Sequence, residues 1–169
     1  KALVICERYY QQSPASWSNS FAMLLINLAS SYKKNNQLSE GIALEEKALA
    51  IREHYYQQKP DSWANRYTTS LNNLAFSYEQ NNQLNEAIAL EEKALVICER
   101  YYHQSPDSWA KGYITSLTNL TLFYRQNNQL SEAITLGEQG LAMCERYYHQ
   151  SPDSWAKDCA ICLNNLAVC

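Results

Sequence analysis

Trp17, Trp63, Trp109 and Trp155 follow one another at intervals of 46 residues along a chain of 169. Pro14, Pro60, Pro106 and Pro152 keep the same interval, as do three Asn-Asn-Gln-Leu turns beginning at Asn35, Asn81 and Asn127. A fixed period of this size marks a solenoid, in which each unit packs mainly on its neighbours. The physical reason is a shortfall in burial. Ordering one residue costs about 1–2 kcal/mol of backbone entropy, while burying one large apolar side chain returns about 1.5–3 kcal/mol. A single helix pair has too few such side chains, so it must cover a second face with the next pair.

The repeat is clearest from Leu71 to Leu95, LNNLAFSYEQNNQLNEAIALEEKAL. Trp63, Tyr67, Leu71, Leu74, Ala75 and Tyr78 step by three and four along one face, which predicts a first (A) helix over Ser62–Gln80. Asn81-Asn82 should end it, since asparagine tolerates the left-handed conformation at a helix C-terminus. A second (B) helix is expected from Leu84 to Tyr102, with Leu84, Ala87, Ile88, Ala94, Leu95, Cys98 and Tyr102 inward. Each proline breaks the preceding B helix, and Ser16, Asp61, Asp107 and Asp153 are the expected N-caps after it. The organisation is then one array over 1–169: a partial B helix at 1–12, A/B pairs at 16–57, 62–103 and 108–149, and a partial A helix at 154–169.

Small residues recur in register. Gly41, Ala87 and Ala133 share one position, and Ala2, Ala48, Ala94 and Gly140 share another. Glycine inside a helix costs about 1 kcal/mol relative to alanine, so these positions read as sites of close helix–helix approach. Glu45-Glu46 and Glu91-Glu92, beside Lys47 and Lys93, are expected on a solvated face.

The net charge of −3, with both signs interspersed, argues against nucleic-acid or membrane-surface binding. No apolar run is long enough to span a bilayer, and KALVICERYY copies Lys93–Tyr102 rather than a signal peptide. The chain starts and stops within a repeat, as a segment of a longer protein would. Cys6, Cys98 and Cys144 share a register whose remaining occupant is Arg52. Stacked equivalents lie too far apart for a disulfide, which suggests reduced thiols and a cytoplasmic setting.

Leu71, Leu74, Ala75, Tyr78, Asn82 (at the usual turn glycine), Leu84, Ala87 and Ala94 together resemble the tetratricopeptide repeat, most of all the long repeats of kinesin light chain and of bacterial multi-repeat proteins. The 46-residue period exceeds the family's usual length of about 34. It is about one helical turn longer than the kinesin light chain repeat, the extra turn falling between the proline and Leu71. Glu45, Glu91 and Gly137 stand where the family often has an aromatic. The family's terminal proline is absent, so the B helix should continue through Glu-Arg-Tyr-Tyr.

The resemblance implies an all-α fold, a right-handed α-solenoid of antiparallel helix pairs whose A helices line a concave groove. Family groove positions map onto Met23, Ile26, Ser30 and Lys33, then Thr69, Asn72, Phe76 and Glu79. They continue at Thr115, Thr118, Leu122 and Arg125, and at Ile161, Asn164 and Val168, with Lys111 and Lys157 pointing the same way by helical phase. The implied function is a protein-interaction scaffold that binds a peptide or partner domain, with an apolar anchor and an acidic flank, in that groove. The alternative is a structural module that self-associates end to end.

Nothing in the sequence points to an enzyme or a cofactor. Cys159-x-x-Cys162 lacks the further ligands that zinc needs, so its cysteines read as small buried hydrophobes. His54, His103 and His149 sit near B-helix ends with no nucleophile or carboxylate arranged beside them. Asn27, Asn73, Asn119 and Asn165 form a ladder that could bond a peptide backbone or satisfy adjacent helices; the second reading is preferred, because the ladder lies off the groove centre.

Overall fold

A computed structural model describes residues 2–167. Among them the chain forms eight helices and no strand. The B helices are α1 (Ala2–Gln12), α3 (Leu38–Gln58), α5 (Leu84–Gln104) and α7 (Leu130–Gln150); the A helices are α2 (Pro14–Lys34), α4 (Pro60–Gln80), α6 (Pro106–Gln126) and α8 (Pro152–Ala167). The helices group into two compact units, Lys1–Gln83 and Leu84–Cys169.

The A helices begin two residues earlier than the capping argument predicts, on the prolines themselves. Ser13, Lys59 and Ser105 precede them in an extended conformation, and none makes a side-chain cap. Proline serves instead, because its fixed φ already suits a helix and its missing N–H would have been unpaired in the first turn. Asp61, Asp107 and Asp153 are therefore not caps; they lie within the first turn, where they complement the macrodipole. The full-length B helices run two residues beyond the expected tyrosine, so one residue links each of them to the next A helix.

That tight turn is clasped by aromatic rings. Tyr9 stacks on Trp17, Tyr55 on Trp63, Tyr101 on Trp109 and Tyr147 on Trp155, with centroids 4.8–4.9 Å apart. The second tyrosine of each pair meets the ring four residues beyond the tryptophan: Tyr10 with Phe21, Tyr56 with Tyr67 and Tyr102 with Tyr113. In the last copy Cys159 stands at that position.

At the opposite turn Asn36, Asn82 and Asn128 hold φ of 58°, 59° and 60°. The N–H of Asn82 bonds Glu79 O, and that of Gln83 bonds Tyr78 O, at 3.0 and 2.8 Å. This is the Schellman pattern, built on asparagine in place of glycine. The amides of Asn35, Asn81 and Asn127 donate to Gln37, Gln83 and Gln129, reinforcing each turn.

In the first unit Phe21, Ala22, Leu25 and Ala48 form one core cluster. In the second, Cys98, Tyr113 and Leu117 form one cluster, and Ala110, Ile114, Cys144, Tyr147, Cys159 and Cys162 form another. The small positions behave unequally. A Cβ on Gly41 would fall 2.7 Å from Lys33 Cγ and 3.2 Å from Ala29 O, so α2 and α3 do approach closely there. A Cβ on Gly140 would meet Leu117 at an ordinary 3.4 Å, so space alone does not require that glycine.

Glu45 and Glu91 are not solvated; they are 3% and 0% exposed. A B helix in these units buries a wider arc than one stripe, and this position falls within it. Glu45 is matched by Lys33 Nζ at 2.6 Å and by the Ser77 hydroxyl at 2.5 Å. Glu91 has no hydrogen bond of ordinary geometry. Within this unit its register partner differs: Phe123, with no hydroxyl, stands in the place of Ser77. Ser116 and Asn119 face it and favour the ionised form, but burial prevails and pushes the carboxyl up to about 8.

Candidate functional site

In the second unit α6 and α8 enclose a depression of about 180 Å³, lined by Ile114, Thr115, Thr118, Asn119, Asp158 and Ile161. Thr115, Thr118 and Ile161 are groove positions expected from the sequence, and the fold brings them together. Lys111 joins them through Asp158, whose Oδ2 lies 3.5 Å from Lys111 Nζ at the rim. Leu122, Arg125, Lys157 and Asn164 sit on the same two helices outside the depression. Val168 lies outside the described residues.

The hydroxyls are partly committed to their own helix. Thr115 donates to Lys111 O and Thr118 to Ile114 O, both at 2.7 Å, so the threonines present mainly methyl groups and acceptor lone pairs. Asn165 reaches from α8 to Thr118 O at 3.3 Å, the backbone-satisfying role expected of the ladder. Asn119 differs. It is 8% exposed, lines the depression, and its amide nitrogen has no partner of ordinary geometry.

Asp158, Ile114 and Asn119 were not among the expected groove residues. Contacts between α6 and α8 fall on both sides of the 46-residue repeat, 47 apart for Thr118 with Asn165 and Lys111 with Asp158 but 44 apart for Thr118 with Cys162, so no single period projects them. Projecting the groove at the bare period selects Lys157 where the fold uses Asp158.

In the first unit Met23 is 45% exposed and Phe76 38% exposed, while Ile26 packs against the Phe21 cluster. Asn72 is half-buried with its Oδ1 unpartnered, and Glu79 is half-buried. Thr69 donates to Asn65 O. Ser30 is exposed. Lys33 turns from the groove position to the interior, where Glu45 and Ser77 hold it. A second polar surprise is Arg52, 2% exposed, whose guanidinium donates to Arg66 O at 2.7 Å and Ser70 Oγ at 2.9 Å. Burial, with the Arg66 charge second, lowers its pKa.

Cys98, Cys144, Cys159 and Cys162 are buried thiols. Burial raises those of Cys144 and Cys162, which keeps them protonated and poor as nucleophiles or metal ligands. Among the described residues no group of three or more His, Cys, Asp or Glu is arranged to hold a metal, and no helix is long and apolar enough to cross a membrane.

The sequence profile described as Tetratricopeptide repeat matches residues 21–61, 68–107 and 114–153. The chain belongs to the tetratricopeptide repeat family. Its all-α helix pairs are those of a tetratricopeptide solenoid, and repeats of this family generally mediate protein–protein interaction or scaffolding. The crystal structure of BtubC (BKLC) from P. vanneervenii is similar at a TM-score of 0.71 and 18% identity, over 89% of this chain and 56% of that one. The chain thus spans little more than half of that protein. A Podosopora anserina kinesin light chain-like protein with nearly identical TPR-like repeats is similar at a TM-score of 0.60 and 22% identity, over 96% of this chain and 84% of that one. A single-residue variant of it gives 0.66 and 24%, over 97% and 76%. At such identities the likeness concerns the fold alone. No curated protein matches the chain.

Proposed function

We propose that this tetratricopeptide chain is an interaction scaffold that binds a peptide or partner domain across its A helices, with the α6/α8 depression as one anchoring point. The observation that carries the reading is the mixed lining that α6 and α8 bring together, the exposed Ile161 beside Thr115 and Thr118. Separately, at a groove position of the first unit, the Oδ1 of Asn72 lacks a donor, which costs about 1–3 kcal/mol when buried, and a peptide offers a backbone N–H at nearly every residue. Ile161, 42% exposed, offers the apolar contact beside Asn119, and the Lys111–Asp158 pair at the rim offers both a cation and a carboxylate to polar groups flanking the anchor.

The test begins with peptides selected by display against the chain. Their affinity is then measured by fluorescence anisotropy for Ile161→Asp, Asn119→Leu and Phe76→Ala. Weakening of about tenfold or more in the first two, with unchanged helicity by circular dichroism, is expected. Wild-type affinity in all three variants would remove the A-helix face from consideration.

A further inference from the structure

The second unit carries a larger depression, on the side where α5 and α7 flank α6. Leu95 and Val96 of α5, Leu120 of α6 and Leu136 of α7 wall a space of about 460 Å³. The space is a shallow depression open to solvent, with room for one side chain laid against its walls. Val96 is 66% exposed. The charged residues lining the depression are Glu92 and Glu132; no lysine, arginine or histidine is among them.

We propose that this depression is a second docking site, separate from the A-helix face, for a short segment that inserts one leucine- or isoleucine-sized side chain between α5 and α7 and sets a lysine or arginine against Glu92 and Glu132. The apolar walls account for the anchor, since a large side chain entering them leaves water along with Val96. The two carboxylates select the flank. Glu92 is already positioned, because the Tyr124 hydroxyl donates to its Oε1 at 2.5 Å. The local field is negative: burial first, then Glu92 by its bond and charge, then Glu132, push the Tyr124 hydroxyl up to about 12. A cation placed there is attracted and an anion repelled, which also excludes nucleic acid as the occupant.

The proposal is tested on the ¹⁵N-labelled 169-residue chain, titrated with acetyl-Ser-Lys-Leu-Lys-Ser-amide and with the same peptide carrying glutamate for lysine. The lysine peptide should shift the amide signals of 92–96 and 131–136. Thr135→Trp, which fills the depression from an exposed position, and Glu132→Lys, which reverses its charge, should each weaken binding about tenfold or more. Ile161→Asp on the A-helix face should leave the affinity unchanged, which separates this site from the proposed groove. Equal binding of the glutamate peptide, retained binding in Thr135→Trp, or no shift of those amides at millimolar peptide would each overturn the proposal.

Discussion

Lys33 Nζ lies 2.6 Å from Glu45 Oε1, and the same ammonium donates to Ser77 Oγ at 2.9 Å, so one charge joins three helices of the first unit. Glu45 is 3% exposed while Lys33 keeps a quarter of its side chain in solvent. Removing the cation leaves a buried carboxylate unmatched. Lys33→Met should therefore destabilise the protein by about 3 kcal/mol, at the low end for buried pairs because the lysine is partly hydrated. Lys33→Met/Glu45→Met should lose much less, since two methionines leave no charge to desolvate. Urea denaturation of both variants checks this, and a double variant as unstable as the single would refute the pair's role.

Glu91 gives the fold a pH dependence of known sign. Its carboxyl has an ordinary value of 4.5 and is raised to about 8 in the folded chain. Below pH 4.5 both states hold the proton and the stability linked to this group is fully present. As pH rises toward 8 the unfolded chain ionises and the folded one does not, so stability falls, by at most about 1.4 kcal/mol per pH unit. Above that value the folded carboxyl ionises too and the loss levels off. Glu91→Gln should flatten this part of the profile and raise stability at pH 8. Thermal melts of both proteins from pH 4 to 9 measure it; parallel profiles would show that the buried carboxyl is not the source.

The aromatic clasp should matter to the hairpin it closes. Tyr101 and Trp109 stack at 4.8 Å with planes 20° apart, across a one-residue link. Trp109→Ala should cost about 2–3 kcal/mol, less than for a fully buried tryptophan because Trp109 is only half-buried. Near-ultraviolet circular dichroism should lose the stacked-ring signal while far-ultraviolet helicity persists.

The asparagine turns can be improved. Asn82 holds φ at 59°, a region that glycine enters without a Cβ penalty and alanine enters at a cost of about 1–2 kcal/mol. Asn82→Gly should therefore raise the melting temperature slightly and Asn82→Ala should lower it, although alanine is the better helix former. The reverse order would contradict the left-handed turn.

Much of the fold was legible because its determinants are local and repeated. Proline positions, the Asn-Asn pairs and the three-and-four spacing of Leu71, Leu74, Ala75 and Tyr78 act within a turn or two of chain, and each recurs every 46 residues. The helix starts were displaced because capping and proline compete at the same turn, and proline at the first helical position needs no side-chain cap. The candidate site was legible in part. Thr115, Thr118 and Ile161 follow from helical phase, whereas Asp158 and Asn119 enter the lining only through the packing of α8 on α6, which no single helix encodes.

The period, the all-α class and the family therefore follow from side-chain order along the chain, since backbone dihedral preference and amphipathic phase are properties of short segments. The fate of the polar groups was settled only by packing. Glu45, Glu91 and Arg52 carry the same formal charges as their exposed neighbours. What separates Glu45 from Glu46, or Arg52 from Arg66, is how much water the adjacent helices exclude and whether Lys33, Ser77 or Ser70 arrives within hydrogen-bonding reach. Those distances are set between helices, and they exist only once the pairs are stacked.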